Sequence, residues 1–137
     1  MKNISKIIPL VGSSVVAGFP SPAEDFVEQG IDFNDVLVRH PASTFVVRVS
    51  GESMKDANIH SGDMVVVDKS LESKNGDIII AVLDGDMTIK RFLKEPNGEV
   101  YLVPANSRFK PIKIDGEREF SVWGVVTWVI RKARQSK

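Results

Sequence analysis

Hydrophobic and polar positions along this chain change their period near residue 44. Residues 1–20 hold no sustained period and end in Gly18-Phe19-Pro20, which reads as an extended N-terminal arm. A short helix is expected next. Ser21 suits its N-cap, Pro22 its first helical position and Glu24 the reciprocal capping-box position, with Gly30 as the stop. Asp32 then caps a second turn or two through Phe33, Val36 and Leu37. That turn ends before His40-Pro41, because a residue preceding proline is driven out of the helical region.

From Thr44 onward the pattern is β. The runs Thr44–Ser50, Met64–Asp68, Asp77–Leu83, Asp86–Leu93, Glu99–Val103 and Phe120–Ile130 are rich in Val, Ile, Thr and aromatic residues. Turn signals separate them at Ser61-Gly62-Asp63, Asn75-Gly76-Asp77, Asp84-Gly85 and Asn97-Gly98. Asp84-Gly85 is the strongest, since both central residues of a type I′ turn need positive φ, and it predicts a hairpin between the runs on either side. The fold class is mainly β: a compact antiparallel domain over residues 21–137 with a short helical entry, preceded by the arm over 1–20.

Composition narrows the function classes. At 137 residues with 42% apolar and 26% charged positions, the chain is long enough for one real core. Formal net charge is zero, so bulk electrostatics do not point to nucleic acid. Arg131, Lys132, Arg134 and Lys137 close the chain with no acid among them and read as a solvated tail. The absence of cysteine excludes disulfides, thiolate metal sites and cysteine nucleophiles. His40 and His60 have no neighbours at metal-ligand spacing, so neither a metal nor a cofactor is expected. No apolar run reaches the ~18 residues of a membrane span. Lys2, Lys6 and the stretch Ile7 to Ala17 imitate a secretory leader, but Pro9, Gly12, Ser13 and Ser14 interrupt it.

Two residues carry the candidate chemistry. Ser53, in Ser50-Gly51-Glu52-Ser53-Met54, follows a strand at a point where Gly51 permits a sharp bend. Lys90, in Met87-Thr88-Ile89-Lys90-Arg91, falls inside a hairpin strand on the face of Thr88 and Phe92. By periodicity alone each is ordinary: a strand lysine is commonly exposed or guards an edge, and a serine at a strand–loop junction is commonly structural. A serine hydroxyl becomes a good nucleophile only when a base takes its proton, and a lysine made neutral by burial can be that base. In water only about one lysine in a thousand is neutral near pH 7.4, so burial is the condition. Backbone N–H groups at the bend, those of Glu52 and Ser53, are the expected oxyanion donors. Val15-Val16-Ala17-Gly18 supplies a bond between small residues in an arm whose valines favour extended backbone.

In order, Ser50-Gly51-Glu52-Ser53-Met54, Gly62-Asp63, Gly76-Asp77 and Thr88-Ile89-Lys90-Arg91 resemble the LexA-like family of self-cleaving serine peptidases. Phe19 to Gln29 and Gly124-Val125-Val126 extend the likeness over nearly all of residues 17–130. The resemblance implies that Ser53 is the nucleophile, Lys90 the general base and Ala17-Gly18 the bond cut in the protein's own arm. It also implies the branch of mutagenic-polymerase accessory subunits. Such a protein is a cytoplasmic homodimer of the bacterial SOS DNA-damage response, cut when a RecA filament forms on single-stranded DNA. Its shortened form joins a UmuC-type Y-family DNA polymerase in error-prone translesion synthesis. Only 17 residues precede Gly18, too few for the helix-turn-helix domain of a LexA-type repressor, so operator binding is not expected. Phe120–Ile130 reads as a core strand or as one partly buried by a second copy, with Trp128 the first choice of interface residue. The rival readings are a signal-peptidase-like Ser-Lys protease, a non-catalytic β-domain adaptor, and a secreted β domain whose leader is residues 1–17.

Overall fold

The computed structural model describes residues 6–11, 15, 17, 18 and 27–134. The chain divides into two compact units, Met1–Arg39 and His40–Lys137. In the first, β1 (Ile7–Val11) pairs antiparallel with β2 (Val27–Asp32), with Ile7 opposite Asp32 and Val11 opposite Val27. The ladder shifts register between Ile8 and Leu10, at Pro9, which has no N–H to donate. A one-turn helix, α1 (Phe33–Leu37), follows directly, and the Asp32 carboxylate accepts the Asn34 N–H at 3.0 Å as its N-cap.

The helix expected to run to Gly30 is therefore a strand from Val27 onward, while Ser21, Pro22 and Glu24 lie outside the described residues. From Val27 onward the backbone is extended, held by its antiparallel ladder with β1. Gly30 is not a helix stop. It sits where β1 crosses so closely that a Cβ would collide with the Ile7 side chain.

The second unit is a seven-stranded antiparallel sheet. Its strands are β3 (Thr44–Arg48), β4 (Met64–Asp68), β5 (Ile78–Leu83), β6 (Asp86–Lys94), β7 (Val100–Val103), β8 (Ile112–Ile114) and β9 (Phe120–Ile130), in the spatial order β3-β4-β9-β5-β6-β7-β8. The mainly antiparallel β class read from the sequence holds. Asp84 and Gly85 have φ of 50° and 87°, so the β5–β6 hairpin turns where expected. β8 has only three residues, Ile-Lys-Ile, too few to show a period; its pairing with β7, Tyr101 opposite Lys113, defines it.

β5 buries both of its faces, which explains its unbroken apolar run. Ile80 packs in one cluster with Met54, Ile59, Val65, Val67 and Ile89. Ile79 and Ala81 pack in a second with Phe92, Leu102 and Val125. Each fully buried aliphatic side chain contributes about 1.5–3 kcal/mol. The two cores meet at β5 and its neighbour β6, and that is where the candidate lysine lies.

Candidate active site

The segment between β3 and β4 carries Ser53, and its fold is set by two anchors. Its base is closed by paired backbone hydrogen bonds, Val49 N–H to the Asp63 carbonyl and Gly62 N–H to the Val49 carbonyl, both 2.8 Å. Its middle is held by Met54 and Ile59, which are 1% and 0% exposed in the core. Gly51 bends the chain at φ 91°, a conformation that costs a residue with a Cβ about 1–2 kcal/mol. Ser53 is therefore fixed by packing of the residue next to it.

Lys90 stands on β6 opposite Ile79 and is 8% exposed. Its Nζ lies 3.1 Å from Ser53 Oγ, 2.7 Å from Thr88 Oγ1 and 3.1 Å from the Ile89 carbonyl oxygen. Among the described residues no carboxylate forms an ion pair with it. Burial without a countercharge pulls the Lys90 ammonium below the ordinary lysine value of 10.5. The three contacts suit both protonation states. An ammonium donates to all three oxygens; a neutral amine donates to Thr88 and Ile89 and turns its lone pair to the Ser53 hydroxyl. Thr88 was legible only as a residue on the same face of the strand, and its role in holding the amine emerges from the structure.

A cleft of about 240 Å³ opens beside this pair, walled by Val47, Val49, Ser53, Ile80, Met87 and Thr88. Val47, Val49, Ile80 and Met87 give it apolar walls, and Arg48, Ser50, Ser53 and Thr88 add polar groups to the lining. Among the described residues the N–H groups of Glu52 and Ser53 have no internal acceptor. The Glu52 carboxylate faces away to the Ser61 N–H and His60. Ala17 and Gly18 are exposed bends of the first unit, in the connection from β1 to β2, with Gly18 at φ 106°.

Arg131 corrects the reading of a solvated tail. Its Nε and one terminal nitrogen donate to the two oxygens of Asp63, each at 2.7 Å, and that nitrogen also reaches the Asn58 carbonyl at 2.7 Å. The Asp63 side chain is 3% exposed. The Arg131 hydrogen bonds, helped by the His60 N–H, lower its pKa from 3.8 to about 2 against the opposing effect of burial. Because the folded value lies below the unfolded one, the stabilisation is complete above pH 3.8 and lost as pH falls through about 2. Asp63→Asn should therefore be less stable than the wild type near neutrality, with the gap closing as pH drops through about 2. Urea denaturation across that range measures it. His40 is likewise engaged, with Nδ1 2.5 Å from the buried Asp68 carboxylate. The bonds from His40, Ser70 and Ser43 hold that carboxyl well below the usual range.

An antiparallel β fold in which the serine of a Ser-Met loop meets a buried lysine from a later strand is the arrangement expected of LexA-like serine peptidases. Residues 9–127 match the Peptidase S24-like family, and the chain belongs to that family. It is 41% identical over 133 residues to Protein SamA of Salmonella typhimurium, covering 97% of this chain and 91% of that one. It is 42% identical over 121 residues to Protein MucA of Escherichia coli, covering 88% and 82%. To a LexA repressor of Colwellia psychrerythraea it is 40% identical over 128 residues, 93% of this chain but 59% of the repressor. Within the family the chain is UmuD-like, as are SamA and MucA. No helix among the described residues is long and apolar enough to cross a membrane.

Proposed function

We propose that this protein is a Ser-Lys peptidase that cuts its own Ala17–Gly18 bond. The observation that carries the reading is a buried Lys90 amine, free of any acidic partner among the described residues, 3.1 Å from Ser53 Oγ. Neutral Lys90 takes the Ser53 proton while Oγ attacks the Ala17 carbonyl carbon. The N–H groups of Glu52 and Ser53 hold the oxyanion as it forms. The intermediate collapses, the Ala17–Gly18 C–N bond breaks, and the Lys90 ammonium protonates the departing Gly18 amine. Water, deprotonated by the same amine, then hydrolyses the Ala17 ester and restores Ser53. Having no Cβ, Gly18 lets the arm bend sharply when it docks.

The UmuD-like relatives support the biological setting: a cytoplasmic SOS protein, triggered by a RecA filament, whose shortened form serves an error-prone polymerase of the UmuC type. A trigger of this kind acts by stabilising the docked state of the arm. Homodimerisation is supported by Val46 and Trp128, 60% and 45% exposed and aligned through Val66 across β3, β4 and β9. Trp128→Glu should convert a dimer to a monomer in sedimentation equilibrium, whereas an unchanged dimer would place the interface elsewhere.

Mass spectrometry of the purified chain at about pH 10 tests the peptidase reading. A fragment starting at Gly18 should appear with the wild type and not with Lys90→Ala. No fragment, or equal cutting by the variant, would leave a non-catalytic β-domain adaptor as the better reading. Cutting elsewhere would favour the signal-peptidase-like alternative.

A further inference from the structure

Asn106 lies beyond β7 in Pro104-Ala105-Asn106, far from the Ser53 loop in sequence, yet it is bonded to that loop's backbone. It is 6% exposed. Its Nδ2 donates to the Glu52 carbonyl at 2.8 Å, and its Oδ1 accepts the Arg108 N–H at 3.0 Å, so both ends of the amide are engaged. Next to it, the Ala105 carbonyl accepts the Asp56 N–H at 2.7 Å, a second tie to the same loop. The Glu52 carbonyl also accepts the Lys55 N–H at 3.2 Å, which uses both of its lone pairs.

That carbonyl belongs to the peptide unit whose N–H is that of Ser53. A peptide unit is planar, and this one is trans, so C=O and N–H point in opposite directions. Holding the oxygen therefore sets the direction of the hydrogen. Burying an asparagine without partners is costly, and this one spends its donor on a single carbonyl rather than on a neighbour in its own turn. Across the rigid plane, the Ser53 N–H is left without an acceptor among the described residues.

We propose that Asn106 is a positioning residue of the oxyanion site: by fixing the Glu52 carbonyl it aims the Ser53 N–H at the oxygen that becomes negative when Ser53 attacks. This rests on the self-cleavage reading above. A donor aimed in advance costs no reorganisation during the reaction, and removal of one such donor slows acyl transfer about 10²–10³-fold. Loss of Asn106 loosens the donor without deleting it, so the expected slowing is about 10–10²-fold. Asn106 touches none of the three partners of Lys90, so the protonation of the base is left as it is.

The test is the first-order rate of self-cleavage of the full chain from about pH 7 to about pH 10, with thermal melting alongside, for wild type, Asn106→Ala and Asn106→Asp. The aspartate keeps the shape and the acceptor for Arg108 but has no N–H to give. Both variants should cut about 10–10²-fold more slowly, Asn106→Ala with the pH midpoint unmoved. A folded Asn106→Asp chain cutting at the wild-type rate overturns the inference. So does a displaced midpoint in Asn106→Ala, which adds no charge, because Ser53 would then have shifted from Lys90. Loss of the fold in both variants overturns it too, since Asn106 would then hold the loop as a whole rather than one peptide plane. A wild type that never cuts sinks the self-cleavage reading and this inference with it; a wild type that cuts beside an unimpaired variant sinks this inference alone.

Discussion

Ser53→Ala and Lys90→Ala chains should remain full length under conditions in which the wild type cuts itself, with rates lower by about 10⁴-fold or more. The two losses should be similar in size, because a nucleophile without its base and a base without its nucleophile each remove the same step. Lys90→Arg should fail equally, although it keeps the positive charge, since a guanidinium does not lose its proton in this range. For the wild type the rate should rise with pH as the neutral amine becomes the majority form, then level off. Burial places the folded lysine below its ordinary 10.5, so the midpoint of that rise should lie below that value. Among the described residues no carboxylate sits at Lys90 to raise it again. Cleavage rates from about pH 6 to about 11, read by mass spectrometry, give the midpoint. A flat profile would remove Lys90 as the base and leave its burial without a catalytic purpose.

Met54→Ala should destabilise the protein by about 2–5 kcal/mol, the second largest effect expected here. Met54 is 1% exposed and packs with Val49, Ile59, Val65, Val67, Ile80 and Ile89, so truncation opens a cavity in the core under β4 and β5. Those neighbours belong to paired strands or to the closed loop base, which limits how far they can collapse into the space. Met54→Leu preserves volume and should cost less than about 1.5 kcal/mol. Because Met54 adjoins Ser53, the alanine variant should also cut more slowly than the leucine variant at equal pH. Urea denaturation at neutral pH measures the first effect. A loss below about 0.5 kcal/mol in Met54→Ala would show that the Ser-Met loop is held by its hydrogen bonds alone.

Much of the sheet was legible because strands with turns of fixed geometry declare themselves locally. Met64–Asp68 and Phe120–Ile130 appear with the bounds read from the sequence, and the Asp84-Gly85 hairpin turns as its two positive-φ positions require. The first unit was less legible. Val27–Asp32 carries helix-entry signals just ahead of it, and only the presence of β1 as a partner makes it a strand. Pro9 hid β1 in the same way, by breaking the alternation that a strand shows.

For the site, the sequence alone determined which residue types were available and where local backbone rules put them: Ser53 after a glycine bend, Lys90 inside a hairpin strand, and Ala17-Gly18 as a bond between two small residues in the arm. These are decisions of alternation and φ, made within a few neighbouring residues. Tertiary structure decided what those residues can do. It buried Lys90, set its amine 3.1 Å from Ser53, and gave Asp63 to Arg131 and the Glu52 carbonyl to Asn106. Each of these joins positions far apart along the chain, and the physical reason they escape a linear reading is the same. Desolvation and buried hydrogen bonds acquire their energy only when the sheet has closed and water has left.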